Sequence, residues 1–265
     1  MLIEISRYRR RMLSGREGGG NRAVLVLLLV FYTLILVTIL RFSRDIDPIW
    51  IIEFQTGLFT LLLPVMAAGA IAGERERRTW DILLTAPVTK AQIVVGKFIA
   101  ILAGYGLFLV ACGLMVVSCM IANPNVHIGL TLSAELLSTT FAIMLIALSL
   151  FVSARSRTTF AAIGACVGLI FTIYGAVPIF IGALFERAGA DVLELSYPFA
   201  TLAKLTDTSD VKWDHFRWTV PLCHDAIYLL LAAAMLVATT VTVRKMEEIK
   251  DFMPEPDAKV GKARA

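Results

Sequence analysis

Charge is scarce in this chain. Asp, Glu, Lys and Arg make up 17% of its 265 residues, against about a quarter in soluble domains, so a soluble globular fold is a poor fit. No GxxxxGK[ST] phosphate loop occurs, and no polar stretch is long enough for a nucleotide-binding domain, so these residues hold no ATP site. The four cysteines (Cys112, Cys119, Cys166 and Cys223) sit in or beside apolar runs with no CxxC spacing. That excludes a thiolate metal cluster and reads as small buried hydrophobes. The three histidines, His127, His215 and His224, match no ligand spacing even with Cys223 added, so no metal is expected. The period-two alternation of a membrane barrel is also absent.

What fills the chain is apolar sequence: 58% hydrophobic residues and a mean hydropathy of +0.77. A helix needs about 20 apolar residues to cross a hydrocarbon core of ~30 Å. Six stretches qualify, at 23–41, 54–73, 98–122, 132–154, 159–185 and 224–243. Backbone polar groups in lipid must bond within their own segment, so each stretch is read as a helix. The expected fold is all-α: a polytopic membrane protein with six transmembrane helices, an N-terminal interfacial helix and a cytoplasmic coupling helix. Residues 41–44, after the first run, hold two arginines and no small-residue cleavage site, so that run is not read as a signal.

Lys and Arg set the orientation. Six fall in 1–22, five in 74–97, two in 155–157 and six after 243, against two in 41–44 and four in 186–223. The positive-inside rule then places both termini in the cytoplasm. The net charge of +4 is a consequence of topology, with no nucleic-acid partner implied. Three regions follow: a basic segment at 1–22, a six-span domain at 23–243 and a cytoplasmic tail at 244–265.

Within 1–22, arginines alternate with Leu2, Ile3, Ile5, Tyr8, Met12 and Leu13, ahead of Gly18-Gly19-Gly20. This is either an amphipathic helix at the inner headgroups or a basic tail that only sets topology. Its LSGRE run is similar to the signature of ABC ATPases, but without a phosphate loop that reading fails. Gly164, Gly168, Gly175 and Gly182 fall near one face of the fifth span, and Gly69 and Gly73 repeat the spacing at the end of the second, so both are expected to pack closely on another helix. Pro178 is expected to bend the fifth span. The outer segment 186–223 is too apolar for a free loop and too broken for a span; it suits short helices, as a packed cap or a substrate gate. Glu53 and Glu135 are expected to reach headgroups from the outer ends of their spans, leaving a largely apolar interior that favours a lipidic, amphipathic or peptide cargo. Gly164-Ala165-Cys166-Val167-Gly168 has the look of a nucleophile turn, but inside an apolar span it reads as helix packing, and no catalytic residue is assigned.

The most informative stretch is 74–97. Glu74, Arg75, Glu76, Arg77 and Arg78 end the second apolar run, then Thr79 can cap a short helix with Asp81 in its first turn. Trp80, Leu83, Leu84 and Pro87 recur at i, i+3, i+4 and i+7, one apolar face. That face either enters a groove on a cytoplasmic partner or lies in lipid. The run AGAIAGERERRTWDILLTAPVTKAQIVVGKFIA resembles the motif of type 2 ABC exporter permeases, in the branch with gliding-motility-like members. Glu74, Arg75, Glu76, Thr79, Leu83, Leu84, Pro87, Gly96 and Lys97 occupy the motif positions, while Arg78 stands where the family often has Gly.

The resemblance implies a membrane permease subunit of an ATP-driven exporter, in a bacterial-type inner membrane. A second permease subunit, identical or a sister chain, would complete the path. An ABC ATPase in trans would carry ATP and Mg, with no cofactor bound by this chain. Residues 79–86 would be the coupling helix, and Glu74, Arg75, Glu76, Arg77 and Arg78 would form ion pairs with one another, the ATPase or the membrane surface. The alternative is a non-transporting scaffold or assembly factor that docks an ATPase for mechanical work.

Overall fold

The computed structural model describes residues 48–80, 88–122, 127–177, 180, 198–206 and 216–252. The expected first span at 23–41, the basic segment 1–22, Leu83, Leu84, Pro87, Pro178 and Gly182 lie outside the described residues. All regular structure among the described residues is helical: α1 (Pro48–Glu76), α2 (Lys90–Ala122), α3 (Ile128–Arg155), α4 (Thr159–Phe171), α5 (Pro198–Thr206) and α6 (Phe216–Phe252). Five helices are long and apolar enough to cross a membrane: α1, α2, α3, α6, and α4 with the turn of π-helix that follows it at Thr172–Ala176. They correspond to the five later apolar runs, and the chain is a multi-pass membrane protein.

Several helices outrun their apolar stretches. Pro48 opens α1 at the first helical position, where its missing N–H costs nothing. Thr89 caps α2 in a reciprocal capping box: its N–H donates to Gln92 Oε1 at 2.9 Å, and the Gln92 N–H reaches back to Thr89 Oγ1 at 3.3 Å. The helix therefore starts at Lys90, two turns before the apolar run at 98. At the start of α4 the Thr158 hydroxyl accepts from the Ala161 N–H at 3.2 Å. The last helix begins at Phe216 and runs on to Phe252, so it absorbs the end of the segment 186–223 and the start of the segment 244–265.

Helix α3 is the centre of the bundle, touching α1, α2, α4, α5 and α6. It is the most enclosed of the spans, with Leu137, Phe141, Leu145, Ile146 and Leu150 fully buried. Phe141 meets Tyr174, Phe199 and Tyr228 at ring-centroid distances of 5.1, 6.4 and 5.4 Å. Short α5 lies within 186–223, where short helices are expected, and buries Leu202 and Leu205 against the bundle. Elsewhere large apolar side chains point outward: Leu107, Val110 and Ile121 on α2, Phe160 on α4 and Leu230 on α6. That is the pattern of a chain solvated by lipid, in which close packing and hydrogen bonds, not water exclusion, select helix partners.

Candidate functional site

The C-terminal end of α1 gathers more polar contacts than any other part of the described chain. The helix closes with a Schellman motif: the Thr79 N–H bonds the Glu74 carbonyl at 2.9 Å and the Arg78 N–H bonds the Arg75 carbonyl at 3.1 Å. Such a cap needs a left-handed residue at its penultimate position. Arg78 supplies it with φ 55°, the one positive φ at a non-glycine among the described residues. That explains why glycine suits this position in the resembling motif.

Three charges before the cap, Glu74, Arg75 and Glu76, have specific partners. The Arg75 guanidinium donates from Nη1 to the Ser156 carbonyl at 2.8 Å and from Nη2 to the Ala154 carbonyl at 2.7 Å. These are the free carbonyls at the end of α3, where the helix dipole favours a cation. The adjacent Glu76 carboxylate accepts the Thr159 N–H at 3.0 Å, at the first turn of α4, where the dipole favours an anion. Two consecutive residues of opposite sign thus match the two ends of the α3–α4 corner. From α2, Lys97 Nζ lies 2.6 Å from Glu74 Oε1 and 2.8 Å from the Ala70 carbonyl.

Below this layer the buried Ser153 hydroxyl of α3 is set into the α1 backbone. It donates to the Ala68 carbonyl at 2.5 Å and accepts from the Ile71 and Ala72 N–H groups at 3.1 and 2.9 Å. Gly69 and Gly73 make room beside it. A Cβ on Gly69 would stand 3.3 Å from Thr159 Cγ2, and one on Gly73 would stand 3.2 Å from Thr159 Oγ1. The end of α1 is thereby clamped to α2, α3 and α4 at once.

This geometry redistributes the residues read from the sequence. Glu74, Arg75 and Glu76 bond within the chain, to helices the sequence does not indicate. Trp80, expected on a ridge offered to a partner, is only 6% exposed and packs in a cluster with Ile71, Ile93, Val94, Ala154 and Val243. An amphipathic pattern identifies an apolar face but not what covers it, and here its first residue joins a buried cluster with residues of α2 and α6. Arg77, Arg78 and Thr79 remain exposed. Among the other glycines, Gly164 and Gly168 have nothing within 4 Å of a Cβ among the described residues, and Gly175 faces the Phe171 ring of its own helix. The Cys166 thiol is fully buried and faces the Ser149 carbonyl at 4.0 Å.

The interior is also less apolar than composition suggests. Glu135 does not reach outward: it accepts a 3.0 Å hydrogen bond from Gln55 Nε2, and its second oxygen is buried. The Thr56 and Ser138 hydroxyls meet at 2.8 Å on the same α1–α3 seam. On another face of α3, Thr140 donates to Asp225 Oδ1 at 2.6 Å. Asp225 was assigned no role by the sequence because it lies at the edge of an apolar run.

The family model described as ABC-2 family transporter protein matches residues 43–243. A search of curated proteins finds no match. The match spans α1 to most of α6, including the clamp and every described span, and the chain belongs to the ABC-2 transporter permease family.

Proposed function

We propose that this chain is the membrane subunit of an ATP-driven exporter, worked by an ABC ATPase in trans that binds ATP and Mg. A second permease subunit, identical or a sister chain, completes the complex. The protein sits in the inner membrane with both termini in the cytoplasm, and residues 79–86 form the coupling helix. The observation that carries this reading is the clamp at the end of α1. The proposed coupling segment leaves a fixed cap at Arg78 and re-enters α2 through the Thr89–Gln92 box. A push on it is delivered directly to α1 and α2, and through Arg75, Glu76 and Ser153 to α3 and α4. A loop held only by lipid would dissipate the same displacement.

With Trp80 committed to the interior, Leu83 and Leu84 carry the contact with the ATPase. Each apolar side chain fully buried in a partner groove contributes about 1.5–3 kcal/mol. Leu83→Asp together with Leu84→Asp is expected to abolish co-purification of an ATP-binding protein from native membranes in mild detergent, while the chain stays inserted. Undiminished co-purification of the double variant would refute the assignment.

A further inference from the structure

One buried pair on the α1–α3 seam is untouched by the coupling reading. Gln55 and Glu135 meet about two turns from the starts of their helices, which run parallel. Gln55 Nε2 donates to Glu135 Oε1 at 3.0 Å. The other atom of each group, Gln55 Oε1 and Glu135 Oε2, is buried and makes no hydrogen bond among the described residues. Gln55 is only 1% exposed, so bulk water does not reach its oxygen. Both orphans are oxygens, and an amide oxygen and a carboxylate oxygen can only accept. A second bond between the two groups therefore needs a hydrogen that an ionised Glu135 does not have.

Charge leads to the same point. Arg75 and Arg155 lie about 20 residues further along their helices, roughly 30 Å away. Lys90 and Lys97 stand at the start of α2, by the far end of α1, where Lys97 meets Glu74 at 2.6 Å. Tyr105 and Cys112 of α2, within electrostatic reach of Glu135, can supply no positive charge. An ionised carboxylate held by one hydrogen bond in low dielectric is strongly disfavoured, and such a group neutralises instead. A water donating to both oxygens would satisfy them but leave that charge standing. A proton on Oε2 removes the charge and supplies the missing donor at once.

We infer that Glu135 binds a proton on Oε2 and donates it to Gln55 Oε1, so that acid and amide close a ring of two hydrogen bonds. Thr56 and Ser138 meet one turn further on at 2.8 Å. Together they form a neutral lock that sets the register of α1 against α3. Glu135 is then a packing group and not a station on an ion path, whether or not residues 79–86 dock an ATPase. The test is infrared spectroscopy of the full chain in lipid vesicles at neutral pH, with unfolding constants measured in mixed micelles. The difference between the wild type and Glu135→Gln is expected to show loss of a protonated-carboxyl C=O stretch; loss of carboxylate bands would overturn the proposal. Glu135→Gln puts an amide N–H where the acid O–H stood, so its unfolding constant should stay within about threefold of the wild type. Glu135→Ala strands the Gln55 amide and should raise that constant about 5–30-fold. Gln55→Met should keep the carboxyl band and move it to higher wavenumber, because the acid loses its acceptor; an unmoved band would overturn the pairing. The exchanged pair, Gln55→Glu with Glu135→Gln, should retain a protonated-carboxyl band. A carboxylate spectrum in that pair, or Glu135→Gln as damaging as Glu135→Ala, would overturn the proposal equally.

Discussion

Arg78 holds φ 55° in the cap that ends α1, and replacing it with glycine is expected to stabilise the protein. Left-handed backbone costs a residue with a Cβ about 1–2 kcal/mol, and glycine adopts it freely but loses about 0.5–1 kcal/mol more chain entropy on folding. The net gain is about 1 kcal/mol, or about fivefold in the unfolding constant. Charge confounds a simple comparison, because Arg78 is exposed among other charged residues. The informative pair is therefore Arg78→Gly against Arg78→Ala: both lose the guanidinium, and only alanine keeps the strain. Arg77→Gly serves as a positional control. The Arg77 N–H closes a helical bond to the Gly73 carbonyl at 3.1 Å, and its φ is not positive, so glycine there should cost about 0.5–1 kcal/mol. Unfolding in mixed micelles with increasing dodecyl sulfate, followed by tryptophan fluorescence, measures all three. An Arg78→Ala variant as stable as Arg78→Gly would refute the claim that conformation, not charge, governs this position.

Two further predictions concern the clamp. Lys97→Met and Glu74→Gln should each destabilise the protein, with a coupling energy of about 1–2 kcal/mol in a double-mutant cycle; this lies between exposed and buried pairs because both side chains are partly covered. The same unfolding assay measures it, and strict additivity would show that the pair is incidental. Gly69→Ala and Gly73→Ala should destabilise the chain by about 1–3 kcal/mol by pressing on Thr159. Gly164→Ala and Gly168→Ala, with nothing within 4 Å of a Cβ among the described residues, should be neutral or stabilising by up to about 1 kcal/mol in the isolated subunit. Equal gains at all four positions would show that helix propensity, not close approach, controls these sites.

The spans were legible because their signal is local: a run of apolar residues long enough for lipid is visible wherever it falls. Boundaries set by capping chemistry were legible in principle, since Thr89 and Gln92 carry a capping-box spacing, but the apolar run alone draws the eye to residue 98. Contacts between distant residues were not legible. Nothing in the spacing of Glu74, Arg75 and Glu76 says that each faces a different helix, and nothing in Trp80 says that Val243 shares its cluster. The glycine stripes show the same limit, because Gly69 and Gly164 have similar local patterns but different neighbours in space. Arg78 is an intermediate case. Its departure from the motif's glycine was visible, while the reason, a left-handed cap, required the backbone.

The seam between α1 and α3 also bears on how the chain is made. Gln55 and Glu135 are separated by 80 residues, and synthesis proceeds at about 5–20 residues per second, so α1 waits roughly 4–16 s for its partner to leave the ribosome. Throughout that interval hydrocarbon offers the Gln55 amide no partner, which favours its resting in the insertion machinery or at the headgroups. The hairpin of α1 and α2 is therefore expected to settle to its final depth only when α3 arrives.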